Sequence, residues 1–385
     1  MKNPFTVGPI LPGEPFCNRK PELEELRKRV VNSDHVVMFS PRRYGKTSLV
    51  RQMMKTLDEE NVVTAYHDFF PVTDRESFVQ KLAVMVTKAT GKGLTHPTHP
   101  SFLDNLKALF KRLVPTIETT PEGINLSVHY DEKIGVSYLI EDIFQGLSRY
   151  LSREKRKCLL VFDEFQEITK LDESAAIEGS LRGQIQTSRE ISCFFIGSRR
   201  RILQDMFTDS KRPFYKSSFP FRLDAIPRDE LVNFIIDRCA STGKKCPRKI
   251  AEEVYDYVEG YTGYVQRLAH VIWDMAEKNI SAGTLKNAKQ SFMAMESLDF
   301  QGIFAGLTRT EQKLVLALAV DPTDKPFSAK FLSKHGLTQG GTQRAFKSLI
   351  DRDIVDSELA AKGSFRLTDP VFAKWGAANS IGTLI

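Results

Sequence analysis

A short apolar run, a tight loop and a helix that opens on Gly-Lys-Thr follow one another near the start of the chain. The run His35–Phe39 predicts a buried strand, Ser40–Gly45 predicts a turn, and Thr47–Leu57 predicts a helix. In this order, the backbone N–H groups of the loop and the N-terminus of the helix surround one point and can bind an anion. The segment therefore predicts a phosphate-binding loop at the end of a buried strand.

The residues of this loop have predicted roles in binding ATP. Gly45 allows the backbone to curl closely around the phosphates, and Lys46 reaches the β- and γ-phosphates. The hydroxyl of Thr47 is a predicted ligand of Mg²⁺. One position departs from the usual pattern, because Ser40 stands where that pattern begins with glycine. The predicted nucleotide-binding residues are Ser40, Pro41, Arg42, Arg43, Tyr44, Gly45, Lys46, Thr47 and Ser48.

A second apolar run ends in two adjacent acids. The run Cys158–Phe162 predicts a buried strand that carries Asp163 and Glu164 to the carboxyl edge of a parallel sheet, where ligands bind. We expect Asp163 to hold Mg²⁺ through water, and Glu164 to orient and deprotonate the attacking water. Glu167 is an alternative base that lies farther from the strand end. Ser198 follows a further apolar strand and is a candidate for contacting the γ-phosphate; otherwise it is a polar residue at a strand end.

The order of elements predicts three domains. Buried strands alternate with helices in the first half of the chain, which indicates a parallel α/β sheet. After about Leu223 the strand pattern stops and helical periodicity continues. We predict an α/β P-loop domain at residues 1–222 with an insertion near 91–135, a helical lid at 223–300, and a winged-helix domain at 301–385.

The C-terminal prediction rests on three short helical patterns followed by a hairpin pattern around Ala360–Gly363, which together are typical of a winged helix. The third helical pattern, Thr342–Arg352, carries the basic residues Arg344, Lys347 and Arg352. In winged helices that bind DNA, the third helix enters the major groove, and basic residues contact phosphates. Several acids follow this helix, and winged helices also dock proteins, so DNA binding and protein docking both remain open.

Composition limits the classes to which the chain can belong. No apolar run approaches the roughly 18 residues that suggest a membrane span, and the N-terminus lacks the apolar core of a signal peptide. The five cysteines form no Cys-x-x-Cys pair, and reduced thiols fit the cytosol. We therefore expect a cytoplasmic protein without a membrane association. The net charge of +7 permits a nucleic acid partner and does not require one.

Together these motifs resemble those of the archaeal-type ATPase family, within the AAA+ and STAND branches of P-loop ATPases. Ser40–Leu49 is similar to that family's Gly-Pro-Arg-Arg-x-Gly-Lys-Thr-Ser-Leu apart from its first residue. Phe16–Leu26 resembles the opening box of the family, Gly260–Gln266 resembles its lid motif, and Phe365–Trp375 resembles its ending. The resemblance implies an AAA+-like sheet, a helical lid, a winged helix and hydrolysis of ATP with Mg²⁺.

The resemblance also implies a site that is completed by a neighbouring subunit. Relatives place an arginine near the segment Lys211–Lys216, and here that arginine has no clear counterpart. Arg212 is the preferred replacement, and the alternatives are Arg199, Arg200 and Arg201. Gly263 stands where AAA+ initiators carry a sensing arginine. We expect ATP to promote self-association, and the reduced set of arginines suggests slow turnover.

Two functions are consistent with these patterns. The first is an ATPase that couples hydrolysis to action on DNA or on a DNA-bound complex. The second is a nucleotide-dependent signalling or scaffolding switch whose partner is a protein. A DNA-binding titration against salt distinguishes them, because phosphate contacts make affinity fall steeply with salt.

Overall fold

The computed structural model describes residues 2–8, 16–90, 109–120, 123–356 and 364–380. These residues form two compact units. The sheet unit comprises Arg19–Ser40 and Lys46–Leu223, and the C-terminal unit comprises Met1–Asn18, Pro41–Gly45 and Asp224–Ile385. Among the described residues, no helix combines the length and the apolar character that crossing a membrane requires.

Within the described residues, the sheet unit is built on five parallel strands in the order β2-β5-β6-β1-β7. These strands are β1 (Val36–Phe39), β2 (Val63–Asp68), β5 (Cys158–Asp163), β6 (Ile191–Gly197) and β7 (Phe219–Arg222). Every residue of β5 and β6 is buried, as expected for central strands covered on both faces. The predicted parallel α/β sheet is confirmed.

Helices cover this sheet, and the strands expected before Ser40, Asp163 and Ser198 are present as β1, β5 and β6. The helices are α1 (Lys20–Val31), α2 (Lys46–Glu59), α3 (Arg75–Thr90), α4 (Val136–Glu154), α5 (Ser174–Thr187) and α6 (Arg200–Thr208), with a 3₁₀ helix at Phe165–Lys170. The predicted insertion contains an antiparallel pair of strands, β3 (Val114–Thr120) and β4 (Gly123–His129). Residues 91–108 lie outside the described part of the chain, so the first part of the predicted insertion is not described.

The C-terminal unit is helical and has its own hydrophobic core. Its first helices are α7 (Arg228–Ala240), α8 (Arg248–Tyr257), α9 (Thr262–Met275) and α10 (Ala282–Ala305). The helix α10 begins at a capping box, in which the side chains of Ser281 and Thr284 each accept from the other's backbone N–H. The predicted helical character of this region is confirmed, and α10 is a helix within it that was not predicted.

The end of the chain has the winged-helix pattern. It comprises α11 (Arg309–Val320), α12 (Ala329–Lys334), α13 (Gln339–Asp351), the antiparallel pair β8 (Val355–Asp356) and β9 (Arg366–Leu367), and α14 (Pro370–Ser380). The predicted turn of the hairpin lies outside the described residues, which omit 357–363. The three predicted helices are present as α11, α12 and α13, and α11 packs on α13 and on α14.

Candidate functional site

The strand β5 carries Asp163 to the carboxyl edge of the sheet, where its side chain is 5% exposed. Its Oδ2 accepts a hydrogen bond from Thr47 Oγ1 at 3.1 Å, and its Oδ1 accepts one from the backbone N–H of Glu164 at 2.9 Å. Burial raises the pKa of Asp163, and the hydrogen bonds from its neighbours oppose that rise. The structure thus brings together Thr47 and Asp163, the two predicted metal ligands.

Tyr66 is a member of this site that the sequence analysis did not identify. It lies on β2, which pairs with β5 in register, and its hydroxyl donates to Asp163 Oδ2 at 2.5 Å. The guanidinium of Arg51 lies 5.3 Å from the centre of the Tyr66 ring. Burial, together with the nearby Asp163 carboxyl, raises the pKa of Tyr66 well above its usual range. Tyr66 therefore acts as a hydrogen-bond donor that orients the predicted metal carboxylate.

Lys46 begins α2, and its side chain is buried. Its Nζ donates to the carbonyl oxygen of Ser40 at 2.9 Å and to Ser40 Oγ at 3.3 Å. Ser40 is not among the residues with positive φ, so the position does not need the glycine of the usual pattern. Positive φ occurs instead at Arg43, at +66°, and at Gly45, at +88°.

Glu164 follows β5 with a left-handed backbone, at a φ of +51°. Phe165, which comes next, is fully buried and packs at 4.6 Å between ring centres against Phe195 of β6. Anchoring Phe165 in the core holds the turn at Glu164, where a non-glycine residue otherwise avoids this conformation. The predicted base is therefore held at a fixed point just beyond the strand.

The carboxylate of Glu164 is held by two neighbours. Its Oε2 accepts from Ser198 Oγ at 2.9 Å, from the Ser198 backbone N–H at 3.4 Å, and from Gln166 Nε2 at 2.5 Å. Gln166 is buried, and a Cβ at Gly197 would lie 2.0 Å from its Oε1, so the amide occupies space that glycine leaves. The structure thus joins the predicted residues Glu164 and Ser198, and it adds Gln166, which the sequence analysis did not identify.

The alternative base Glu167 lies in an ion-pair cluster. It is 3% exposed, pairs with Lys170, and lies 3.8 Å from Arg199 Nη1. Arg212, the preferred neighbour-directed arginine, pairs with the buried carboxylate of Glu178, with Nε donating at 3.3 Å. Burial raises the pKa of Glu178, and Arg212 opposes that rise. Arg199 and Arg212 are therefore both engaged within their own chain.

The loop Pro41–Gly45 belongs to the C-terminal unit by its contacts. The backbone N–H of Gly263 donates to the carbonyl of Arg43 at 2.7 Å. A Cβ at Gly263 would lie 3.0 Å from Arg43 Cβ, so this close approach favours glycine over a larger residue. Gly263, which stands at the position of the sensing arginine in AAA+ initiators, thus contacts the loop through its backbone.

Comparisons with known proteins match two parts of the chain to known families. Residues 16–268 match the family model of an ATPase domain predominantly from Archaea, and residues 298–378 match that of a probable winged helix domain. No curated protein sequence matches the chain.

Two solved structures have similar folds. The Walker-type ATPase PABY2304 of Pyrococcus abyssi is 14% identical, with a TM-score of 0.72 over 97% of this chain and 99% of that chain. The ORC2 protein of Aeropyrum pernix, solved as ADPNP–ADP complexes, is 15% identical, with a TM-score of 0.56 over 97% of both chains. At these identities the likeness establishes the fold, which is AAA+-like. Because the family model covers more than half of the sequence, the chain belongs to the family of P-loop ATPase domains found predominantly in Archaea, with a winged-helix domain after the ATPase domain.

Proposed function

We propose that this chain binds ATP with Mg²⁺ and hydrolyses it to ADP and phosphate, using Glu164 as the general base. The observation that carries the proposal is the hydrogen bond of 3.1 Å between Thr47 and Asp163, one residue away from Glu164. A hydroxyl at the start of a helix and a carboxylate at a strand end are the protein ligands that hold the metal in P-loop ATPases.

The donor set fits Mg²⁺. This ion prefers oxygen ligands and is usually held by one or two carboxylates together with water and phosphate oxygens. Asp163 and Thr47 would hold it, and the ion would neutralise charge that develops on the phosphates. Tyr66 orients the same carboxylate through its hydroxyl.

The remaining residues have distinct proposed roles. The ammonium of Lys46 stabilises the charge of the β- and γ-phosphates. Glu164 accepts the proton of the water that attacks the γ-phosphorus, while the bond from that phosphorus to the β–γ bridging oxygen breaks and ADP leaves. The loop Ser40–Ser48 supplies backbone N–H groups to the phosphates. Ser198, which donates to Glu164 at 2.9 Å, holds the base and is also our candidate for contacting the γ-phosphate.

Lys46→Ala tests the binding step. We expect it to abolish ATP binding and hydrolysis, because it removes the charge aimed at the phosphates. The control is Lys55→Ala, which removes an exposed lysine from the same helix. Binding is measured by titration with a fluorescent ATP analogue, and hydrolysis by phosphate release. Unchanged nucleotide affinity in Lys46→Ala would contradict the assignment.

We further propose that hydrolysis is coupled to DNA through the winged helix. The exposed basic residues Arg344 and Lys347 of α13 and the net charge of +7 support this. ATPase rates are measured with and without duplex DNA, and DNA affinity is measured between about 50 and 200 mM salt. Coupling to DNA predicts a higher rate with DNA and a steep loss of affinity with salt.

The second candidate function is a slow nucleotide-dependent switch with a protein partner. It is favoured by the engagement of Arg212 with Glu178 and by the glycine at 263, because both reduce the arginine complement expected of a fast ATPase. A rate that is independent of DNA, together with absent salt-sensitive binding, would support it over the first.

Self-association in ATP is a separate proposal, with Arg212 as the residue directed to a neighbouring copy. The ion pair of Arg212 with Glu178, which is 2% exposed, offers a competing role. Loss of the arginine would leave a buried carboxylate, so a role within the chain predicts a lower melting temperature for Arg212→Ala that Glu178→Gln partly restores. A role between subunits instead predicts a lower rate at an unchanged melting temperature, and rescue when Arg212→Ala and Lys46→Ala chains are mixed.

A further inference from the structure

The backbone of Arg43 adopts the left-handed conformation that the phosphate-binding loop also adopts at Gly45, with φ values of +66° and +88°. Alternating left-handed residues turn successive N–H groups toward one point and build a concave anion site. Glycine adopts this conformation freely, whereas a residue with a Cβ resists it. Since the chain has arginine at this position, contacts elsewhere must stabilise its backbone.

The side chain of Arg43 is held by residues that lie far away in the sequence. Its Nη1 donates to Asp369 Oδ2 at 3.0 Å and also to the hydroxyl of Tyr264. The Tyr264 hydroxyl in turn donates to Asp369 Oδ2 at 2.5 Å, and the guanidinium lies 4.2 Å from the centre of the Tyr264 ring. Nη2 donates to Glu296 at 3.4 Å, which is 1% exposed. The guanidinium is therefore held by hydrogen bonds to Asp369 and Glu296 and by stacking on the Tyr264 ring.

Neighbouring contacts hold the backbone in the same place. The carbonyl of Arg43 accepts from the N–H of Gly263 at 2.7 Å. The next loop residue, Tyr44, packs edge-on against Tyr261 with ring centres 4.7 Å apart, and the Tyr261 hydroxyl donates to the carbonyl of Thr368. Arg43 and Tyr44 thus both contact the segment Tyr261–Tyr264. The hydroxyl groups of Tyr261 and Tyr264 in turn donate to Thr368 and Asp369 of the winged-helix domain.

Asp369 serves two elements at once. Its Oδ1 accepts from the backbone N–H groups of Val371 and Phe372 at 2.9 and 3.0 Å, which caps α14. Its Oδ2 is the oxygen that receives Arg43 and Tyr264. The carboxylate therefore connects the start of the last helix of the winged-helix domain to the phosphate-binding loop.

We propose that Asp369 is a positioning residue for nucleotide binding: through Arg43 it holds the loop in its left-handed, phosphate-binding conformation, so that nucleotide affinity depends on the winged-helix domain. The inference rests on the proposed function, because it assigns the loop to ATP. The hydrogen bonds to Asp369 compensate for a backbone conformation that glycine would adopt without help.

The substitution Asp369→Asn separates the two roles of this residue. The asparagine oxygen keeps the cap of α14, while its amide group replaces the acceptor that Arg43 and Tyr264 use. We expect ATP affinity to fall about tenfold, which corresponds to about 1.4 kcal/mol. The matched control is Asp299→Asn, which removes a carboxylate 4.0 Å from the same guanidinium with a side chain that is 66% exposed. We expect that control to bind ATP within about twofold of the unaltered chain, since exposed ion pairs contribute little.

Arg43→Ala and Arg43→Gly supply the decisive comparison. Arg43→Ala loses the side-chain contacts of Arg43 and keeps a Cβ, so ATP affinity should again fall about tenfold. Arg43→Gly loses the same side-chain contacts but adopts positive φ freely, so it should bind ATP at least about threefold more tightly than Arg43→Ala. Adding Asp369→Asn to Arg43→Gly should then cost nothing further.

All variants are titrated with a fluorescent ATP analogue in the full chain, and their melting temperatures are measured alongside. Equal affinities of Asp369→Asn and the unaltered chain would overturn the inference, and so would equal losses in Arg43→Ala and Arg43→Gly. The second comparison decides the matter even if Asp369→Asn does not fold. An unaltered chain that binds no ATP would instead refute the proposed function itself.

Discussion

Replacing Glu164 with glutamine tests the chemistry with little change of shape. In the structure, one carboxylate oxygen of Glu164 accepts the side-chain hydrogen bonds from Ser198 at 2.9 Å and from Gln166 at 2.5 Å. The carbonyl oxygen of glutamine can accept the same bonds, and its amide nitrogen replaces the other oxygen. The turn that follows β5 is anchored by the buried Phe165, which the substitution does not touch. The fold and ATP binding should therefore be retained.

The rate of hydrolysis should fall, because an amide accepts no proton from the attacking water. Loss of a general base lowers the rate by about 10²-fold or more, and 10²-fold corresponds to ~2.7 kcal/mol in the barrier. Phosphate release is measured at saturating ATP, with ATP affinity determined separately for the same preparation. The matched control is Glu167→Gln, which removes an acid three residues further along that pairs with Lys170. If Glu164→Gln kept its rate while Glu167→Gln lost it, our assignment of the base would be wrong.

Combining Ser198→Ala with Glu164→Gln reveals how Ser198 acts. If Ser198 acts only by holding Glu164, Ser198→Ala should lower the rate in the unaltered chain and have no further effect in Glu164→Gln. If its hydroxyl instead contacts the γ-phosphate, Ser198→Ala should lower the rate by the same factor in both backgrounds. The comparison therefore separates the two roles that we assign to this hydroxyl.

The remaining predictions concern the support of the site and the pH dependence of stability. Gly197→Ala should lower the hydrolysis rate by about 10²-fold with ATP affinity nearly unchanged. The added Cβ would lie 2.0 Å from Gln166 Oε1 and would displace the Gln166 amide, which holds the base Glu164. An unchanged rate would show that Gln166 can move without effect. Burial and then the charges of Lys81 and Lys88 lower the pKa of His67 from 6.5 to about 4. As pH falls, His67 is therefore protonated in the unfolded chain before it is protonated in the folded chain, and stability is lost between those two pH values. His67→Gln should therefore gain in melting temperature relative to the unaltered chain at about pH 5 compared with about pH 7.5, and an equal difference at both pH values would contradict the assignment.

The sequence predicted the site best where local pattern decides the structure. The apolar run before the loop became β1, the Gly-Lys-Thr segment became the start of α2 at Lys46, and the run before the two acids became β5, which ends at Asp163. Each of these elements is specified by its own residues, because a buried strand and a helix start have local signatures. The winged-helix pattern was predicted for the same reason.

Elements with weak local signals were missed. The strand β7 has four residues, only Phe221 of them is buried, and it contains Pro220, a residue that central strands avoid. The helix α10 was also missed, although it is long, because apolar residues such as Met295 and Leu298 are exposed and blur its helical periodicity.

Residues whose role depends on strand order could not be predicted. Tyr66 contacts Asp163 only because β2 is the sheet neighbour of β5, although a long stretch of chain separates the two strands. In the sequence nothing distinguishes Gln166 from other polar residues. Its role depends on Gly197, which leaves space for the Gln166 amide. Such contacts depend on register and on packing between distant segments, and local periodicity specifies neither.

Distant contacts take the place of glycine in the phosphate-binding loop. Ser40 occupies the position of the first glycine of the usual pattern without positive φ, and its carbonyl and hydroxyl accept from Lys46. Arg43, by contrast, has positive φ, and its conformation is supported by Tyr264 and Asp369. A glycine would give this conformation wherever the rest of the chain lay, whereas an arginine gives it only while its partners are in place. Because coupling between two binding events is reciprocal, our proposal predicts that ATP binding and the contact of Asp369 with Arg43 strengthen each other by the same factor. A loop built in this way suits a protein in which nucleotide state and the winged-helix domain are linked.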